Sequence, residues 1–196
     1  MALMYLSFAY TGLIITFLTG VLPTCIGSSK SLGSDSDRYI GLNGIFTGVG
    51  NTIGGLFFAI VPKLSKKFKS YKVVIFGSVL HVISIFLIFG NFNNHANLAT
   101  VDGGGLIWEA TKFGLVILSS LLFGLGEACL NTQLYAYLGN YYKADSASAF
   151  ALMKSLQSIF AAGSFFYSGI LPLYFQLLIL LVFNLLSVVS FTCVIL

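Results

Sequence analysis

The feature that most constrains this chain is a series of six long apolar runs that fill most of its 196 residues. Each run is long enough to cross a hydrocarbon core of about 30 Å as an α-helix. The alternation of apolar and polar residues that marks a membrane β-strand is absent. We therefore predict an all-α transmembrane fold, a single six-helix domain over residues 1–196. Its spans would cover residues of about 3–26, 39–61, 73–89, 112–138, 147–168 and 172–195.

The composition agrees with a bilayer environment. Only 8% of the residues are charged and 57% are hydrophobic, whereas a soluble domain carries about 25% charged residues. The net charge of +4 is not accompanied by any nucleic-acid-binding motif. The sequence also lacks paired cysteines, a phosphate-binding loop, a nucleophile motif and metal-ligand spacing. We expect the protein to interact with the lipid bilayer itself. We expect no nucleic acid, no cofactor, no metal and no catalytic residues.

The basic residues predict an orientation. Half of them fall in one short loop between the second and third runs, which we call the lysine loop. Because positive loops stay in the cytoplasm, this loop and both termini are predicted to be cytoplasmic. Binding of anionic lipid headgroups is an alternative role for the loop. Span length does not choose between the plasma membrane and internal membranes. The loop lysines are Lys63, Lys66, Lys67, Lys69 and Lys72.

The second run is rich in glycine. Gly44 and Gly48, and likewise Gly50 and Gly54, have the spacing of a small-xxx-small pair. In lipid, such spacing lets two helix backbones approach closely. A nucleotide-binding loop would need a preceding strand and a soluble parallel sheet, which this sequence does not offer. We predict helix packing at these glycines.

A charged residue lies inside the fourth run. Glu127 at mid-membrane costs at least ~2.5 kcal/mol, so it is expected to face the bundle interior with a partner. Asn131 lies one helical turn away on the same face, and Lys154 and Gln157 lie in the fifth run. One interpretation is that these four residues form a polar strip along a solute path or a conformational switch. The alternatives are a structural ion pair between Glu127 and Lys154, or a lysine that reaches separately to the membrane surface.

His81 lies in the third run, which is otherwise mainly aliphatic and aromatic. A lone buried histidine is more often a hydrogen-bonded packing residue than a proton relay, and the relay is kept as the alternative. The amides inside the other runs have the same simple explanation, since they can hydrogen-bond across neighbouring helices.

Four segments carry a family resemblance. The sequence resembles the Unc-ninety-three-like branch of the major facilitator superfamily over nearly its whole length. The resemblance implies the second, C-terminal six-helix half of a twelve-helix transporter fold, in which two halves are related by an axis along the membrane normal. The segments are FGLGEACLNTQL (Phe123 to Leu134), DSASAFALMKSLQSIFAAGSFFYS (Asp145 to Ser168), FAYTGLIITFLTGVLPTCIG (Phe8 to Gly27) and GLNGIFTGVGNTIGG (Gly41 to Gly55).

The resemblance implies a non-enzymatic protein that regulates or escorts an ion channel or a membrane receptor. A small-solute transporter, half-length or truncated, is the alternative, and an inactive truncation is a third possibility. The implied partners are a channel or receptor subunit, a missing N-terminal half or a second copy in a homodimer. Two departures count against proton-coupled transport. The usual loop motif is degenerate between Pro62 and Lys72, and Asn51 stands where relatives often have an acidic residue.

Overall fold

The structure is a computed structural model that describes residues 2–60 and 70–195. Within these ranges the chain forms six long helices and no β-strand. The prediction of an all-helical fold is confirmed, and each helix coincides with one predicted run to within a few residues. The helices are α1 (Tyr5–Ser28), α2 (Ser36–Ile60), α3 (Ser70–Asn91), α4 (Phe113–Tyr141), α5 (Ser146–Ser168) and α6 (Leu173–Ile195).

Five of the six helices in the described ranges are long and apolar enough to cross a membrane, which makes this a helical membrane bundle. The exception is α2, which has 25 residues but carries several glycines together with Asn43 and Asn51. These residues lower its mean hydropathy without shortening it. That α2 also crosses the bilayer stays a prediction, supported by its packing along the membrane-spanning α4.

The central helix of the bundle is α1, whose side chains are the most completely buried. It is α-helical over Tyr5–Thr16, forms a π turn over Phe17–Val21 and resumes as an α-helix over Leu22–Ser28. Pro23 explains the interruption, because a proline removes one backbone donor and crowds the carbonyl four residues earlier. A π turn is one way for a helix to absorb this defect without breaking.

The six helices form two groups. One group consists of α2, α3 and α4, with α4 packed against both of the others. The second consists of α1, α5 and α6, and contact between α3 and α6 joins the groups. Polar bonds cross these contacts, as expected for helices in lipid. Asn184 of α6 donates to the Ser78 carbonyl of α3 at 3.2 Å, and Ser7 of α1 donates to the Ser187 carbonyl of α6.

The connection between α3 and α4, residues 92–112, is folded onto the ends of the helices through asparagine side chains. Asn91 exchanges two hydrogen bonds with the backbone of Lys112, at 3.1 and 2.8 Å. Asn97 donates to the carbonyls of Ser168 and Leu171, which close the end of α5. The amides thereby supply partners for backbone groups that helix termini leave unpaired.

The lysine loop falls mostly outside the described residues. Lys63, Lys66, Lys67 and Lys69 lie there, while Lys72 lies in the first turn of α3 with an exposed side chain. The predicted cytoplasmic location of this loop and of the termini therefore stays a prediction.

Candidate functional site

The glycines of α2 divide into two groups with different surroundings. Gly50 and Gly54 face α4 so closely that an added Cβ would collide with the Leu121 carbonyl oxygen and with the Ala128 side chain, respectively. Gly124 of α4 completes the contact, since a Cβ there would collide with the backbone of Thr47. Glycine is needed at these positions because the two backbones touch. No space is left between α2 and α4 at these glycines, and we call this the sealed contact.

The other predicted pair faces away from the bundle. A Cβ added at Gly44 or Gly48 would have nothing within 4 Å beyond its own helix, and the same holds for Gly41 and Gly55. The four glycines recur at intervals of three, four and seven residues, which places them on one side of a helix. We call this surface the open glycine face of α2.

Glu127 is held between α2 and α4. Its Oε2 accepts a hydrogen bond from Asn51 Nδ2 at 3.0 Å, so the carboxylate is fixed from the neighbouring helix. The side chain is only partly buried. Asn131 lies one turn further along α4, and its buried Oδ1 has no hydrogen-bond partner. The carboxylate and the amide oxygen together leave this part of the strip rich in unused acceptors.

Lys154 of α5 is held by neutral groups. Its Nζ donates to Gln157 Oε1 at 2.8 Å and to the Tyr135 hydroxyl at 3.2 Å, and it lies 5.6 Å from the centre of the Tyr135 ring. Tyr135 was not singled out from the sequence. Its position two turns after Glu127 and one turn after Asn131 on α4 is the signal that would have found it.

The hydrogen bonds of the predicted strip fall into two groups, one around Glu127 and one around Lys154, and the two charges are not paired. Glu127 and Lys154 are not within 4.0 Å of each other, and the one ion pair among the described residues joins Lys30 and Asp102 at 3.1 Å. The hypothesis of a direct structural ion pair therefore does not hold in this structure. The strip thus carries two opposite charges that are not paired, and it lies where α4 and α5 make few contacts.

His81 lies away from the strip in a fully buried node of α1, α3 and α4. Its Nδ1 is 2.6 Å from the Tyr10 hydroxyl and its Nε2 is 3.1 Å from the Phe123 carbonyl oxygen. A carbonyl can only accept, so Nε2 carries the proton and Nδ1 accepts from Tyr10. Both ring nitrogens are satisfied, and this arrangement favours the packing role over the proton relay.

A separate cavity of about 210 Å³ lies beside the π turn of α1. Its wall includes Gly20, Asn97 and Phe165, at the opposite end of α5 from Lys154. Pockets for drug-sized ligands span roughly 300–1,000 Å³, so this one suits at most a small group. Within the described ranges, no group of three or more His, Cys, Asp or Glu residues could hold a metal ion.

These features define a multi-pass helical membrane protein with a polar strip at one helix junction. Residues 1–192 match the family model described as "Ion channel regulatory protein UNC-93". The chain is also similar to two curated relatives, the UNC93-like protein MFSD11 of Xenopus laevis and that of Xenopus tropicalis. Each is 41% identical over 192 residues, which are 97% of this chain and 43% of the relative. The chain therefore belongs to the UNC-93 family, as the sequence motifs indicated.

The chain spans less than half the length of the curated relatives it matches. No solved structure matches it.

Proposed function

We propose that this chain is a non-enzymatic membrane accessory protein that regulates or escorts an ion channel or a membrane receptor. Two observations support the proposal. The matching family is described as an ion channel regulatory protein, and α2 presents a glycine face that no described residue covers. A regulator that acts within the bilayer needs a surface on which another helix can pack.

The open glycine face is suited to such a contact. Ile45 and Val49 flank it and are 59% and 41% exposed, so apolar ridges stand beside a line of positions without side chains. In lipid, helices associate through close van der Waals packing rather than through hydrophobic exclusion from water. A partner transmembrane helix packed here would gain backbone contact along about four turns.

Gly48→Leu tests this contact. The added side chain enters open space, so the protein should fold normally and lose its partner. A photo-crosslinking residue at Ile45 would capture the neighbouring membrane protein in cells, and mass spectrometry would identify it. We expect at least tenfold less capture from Gly48→Leu than from Gly163→Leu, a substitution at an equally open glycine of α5. Depletion of the chain should also change the current or surface amount of the captured channel or receptor.

Two results would contradict the accessory role. One is capture of no channel or receptor at all, and the other is equal capture from the two leucine variants.

Small-solute transport is a second candidate, and one observation favours it. Glu127 and Lys154 carry opposite charges at the α4–α5 junction without neutralising each other, and intramembrane charges commonly mark solute or ion pathways. A path needs walls on both sides, so transport would require a second copy of the chain or a first six-helix half over the strip. Uptake of a solute panel into reconstituted vesicles, compared with Glu127→Gln, tests this function. No uptake of any solute, together with an unchanged phenotype of Glu127→Gln in cells, would eliminate it.

A further inference from the structure

The charges of the strip are fixed in place but unmatched. Asn51 holds the Glu127 carboxylate at 3.0 Å, and Tyr135 and Gln157 hold the Lys154 ammonium at 3.2 and 2.8 Å. Every one of these partners is neutral. Hydrogen bonds therefore fix the position of each charged group, but neither is paired with a group of opposite charge. The partly buried Glu127 carboxylate interacts more strongly with an arriving counter-charge than it would in bulk water.

Two further groups on the strip lack partners. Gln157 is 5% exposed, and its Nε2 donor has no hydrogen-bond acceptor. Asn131 Oδ1, an acceptor, has no donor. Buried polar atoms are nearly always satisfied by protein, ordered water or a bound molecule. Seven buried side-chain atoms in the described ranges lack a partner, and these two are the ones that lie beside the unmatched charges, a donor on α5 and an acceptor on α4. The Nε2 donor belongs to Gln157, whose Oε1 accepts from Lys154. The Oδ1 acceptor belongs to Asn131, one helical turn from Glu127.

We propose that the strip binds a small zwitterion of the α-amino-acid kind. The ammonium of the ligand would donate to Glu127 and to Asn131 Oδ1, while its carboxylate would accept from Lys154 and from Gln157 Nε2. Such a ligand matches the donors and acceptors one for one and leaves the site without net charge. A lone cation would leave Lys154 unmatched, and a lone anion would leave Glu127 unmatched.

The spacing along the helices is compatible with a compact ligand. Glu127 and Tyr135 are eight residues apart, about 12 Å along α4. Side chains on a helix lean towards its N-terminus, so the Tyr135 hydroxyl and the ammonium it holds are displaced towards the level of Glu127. The gap exceeds the 4.0 Å of a direct ion pair. A molecule with both charged groups on one carbon, joined to the protein by hydrogen bonds of about 3 Å at each end, bridges such a gap.

The experiment uses three related probes with the purified chain in lipid nanodiscs: L-alanine, L-alaninamide, which keeps only the positive end, and N-acetyl-L-alanine, which keeps only the negative end. Calorimetric titration should show alanine binding at least tenfold more tightly than either analogue. Glu127→Gln should weaken alanine binding at least tenfold and leave N-acetyl-L-alanine unchanged. Lys154→Met should weaken alanine binding equally and leave L-alaninamide unchanged. Glu109→Gln and Lys143→Met are the matched controls, since both residues are exposed outside the bundle, and neither should affect any probe.

This cross pattern separates a ligand site from a structural role, because a misfolded variant would lose all three probes together. The proposal is overturned if alanine binds no more tightly than the analogues. It is also overturned if Glu127→Gln or Lys154→Met, with an unchanged melting temperature, weakens all probes alike. The site deepens the transport candidate, but binding is measured without transport. Selective binding of alanine without uptake into vesicles contradicts transport alone, whereas uptake of other solutes without alanine binding contradicts the site alone.

Discussion

The two sides of α4 differ in how they meet the rest of the bundle. Towards α2, Gly50 and Gly124 face backbone, and Gly54 faces the Ala128 side chain. Ser120 also donates to Asn43 Oδ1 at 2.5 Å across this contact. Towards α5, the helices touch sparsely, and Tyr135 and Lys154 meet through long side chains. A helix pair built on glycine has no room to adjust, whereas one built on long polar side chains can open.

The residues on one side of α4 stabilise the fold, whereas the residues on the other side keep polar groups that are available for binding. On the sealed side, the polar groups of Asn43 and Ser120 are deeply buried and satisfied by each other. On the open side, Asn131 and Gln157 keep unpartnered atoms. Substitutions on the sealed side are therefore expected to reduce stability, and substitutions on the open side to reduce binding or association.

The largest loss of stability is expected for Gly124→Leu. The new Cβ at position 124 would collide with the backbone of Thr47 and lie 2.9 Å from the backbone nitrogen of Asn51. A helix backbone cannot move aside as a side chain can. Overpacking of this kind costs about 3 kcal/mol. Thermal unfolding in detergent, followed by the fluorescence of the single tryptophan, should show a much lower melting temperature. Gly48→Leu adds the same side chain on α2 in open space, and it should melt like the unmodified protein. Equal effects of the two variants would mean that α2 is not sealed against α4.

A smaller loss is expected for Tyr10→Phe. The substitution removes the hydroxyl that donates to His81 Nδ1 and leaves that fully buried nitrogen without a partner. Hydrogen bonds between helices in membranes contribute about 0.6–1.7 kcal/mol, so we expect a loss near 1 kcal/mol in the free energy of unfolding. Tyr135→Phe removes a hydroxyl from the open side instead, and its effect on unfolding should be smaller. If Tyr10→Phe has no effect, the node does not fix α1 against α3, and the relay interpretation of His81 becomes the stronger one.

The sequence was sufficient to predict the helices but not their rotation. Apolar runs fix the number and length of helices because the bilayer allows little else. The glycine spacing predicted close packing, but Gly50 faces α4 while Gly48 faces outwards, and spacing within one helix cannot say which neighbour each side meets. Similarly, depth in the membrane suggested Lys154 as the partner of Glu127, while the structure gives Asn51. Depth follows from position in a run, whereas the rotation of α2 about its axis follows from packing in three dimensions.

The smallest effect on stability is expected for Lys154→Met, and it is the most discriminating. Methionine keeps most of the length and the apolar stem of the side chain, and the lost contacts are those of an exposed ammonium with neutral groups. Substitutions at exposed positions usually change the free energy of unfolding by no more than about 0.5 kcal/mol. The neighbouring Met153 is fully buried, so Met153→Ala should cost about 2–5 kcal/mol in the same denaturation experiment. If Lys154→Met proves as costly as Met153→Ala, the lysine holds α4 and α5 together. The open side would then be a part of the fold, and the difference between the two sides of α4 would be one of degree.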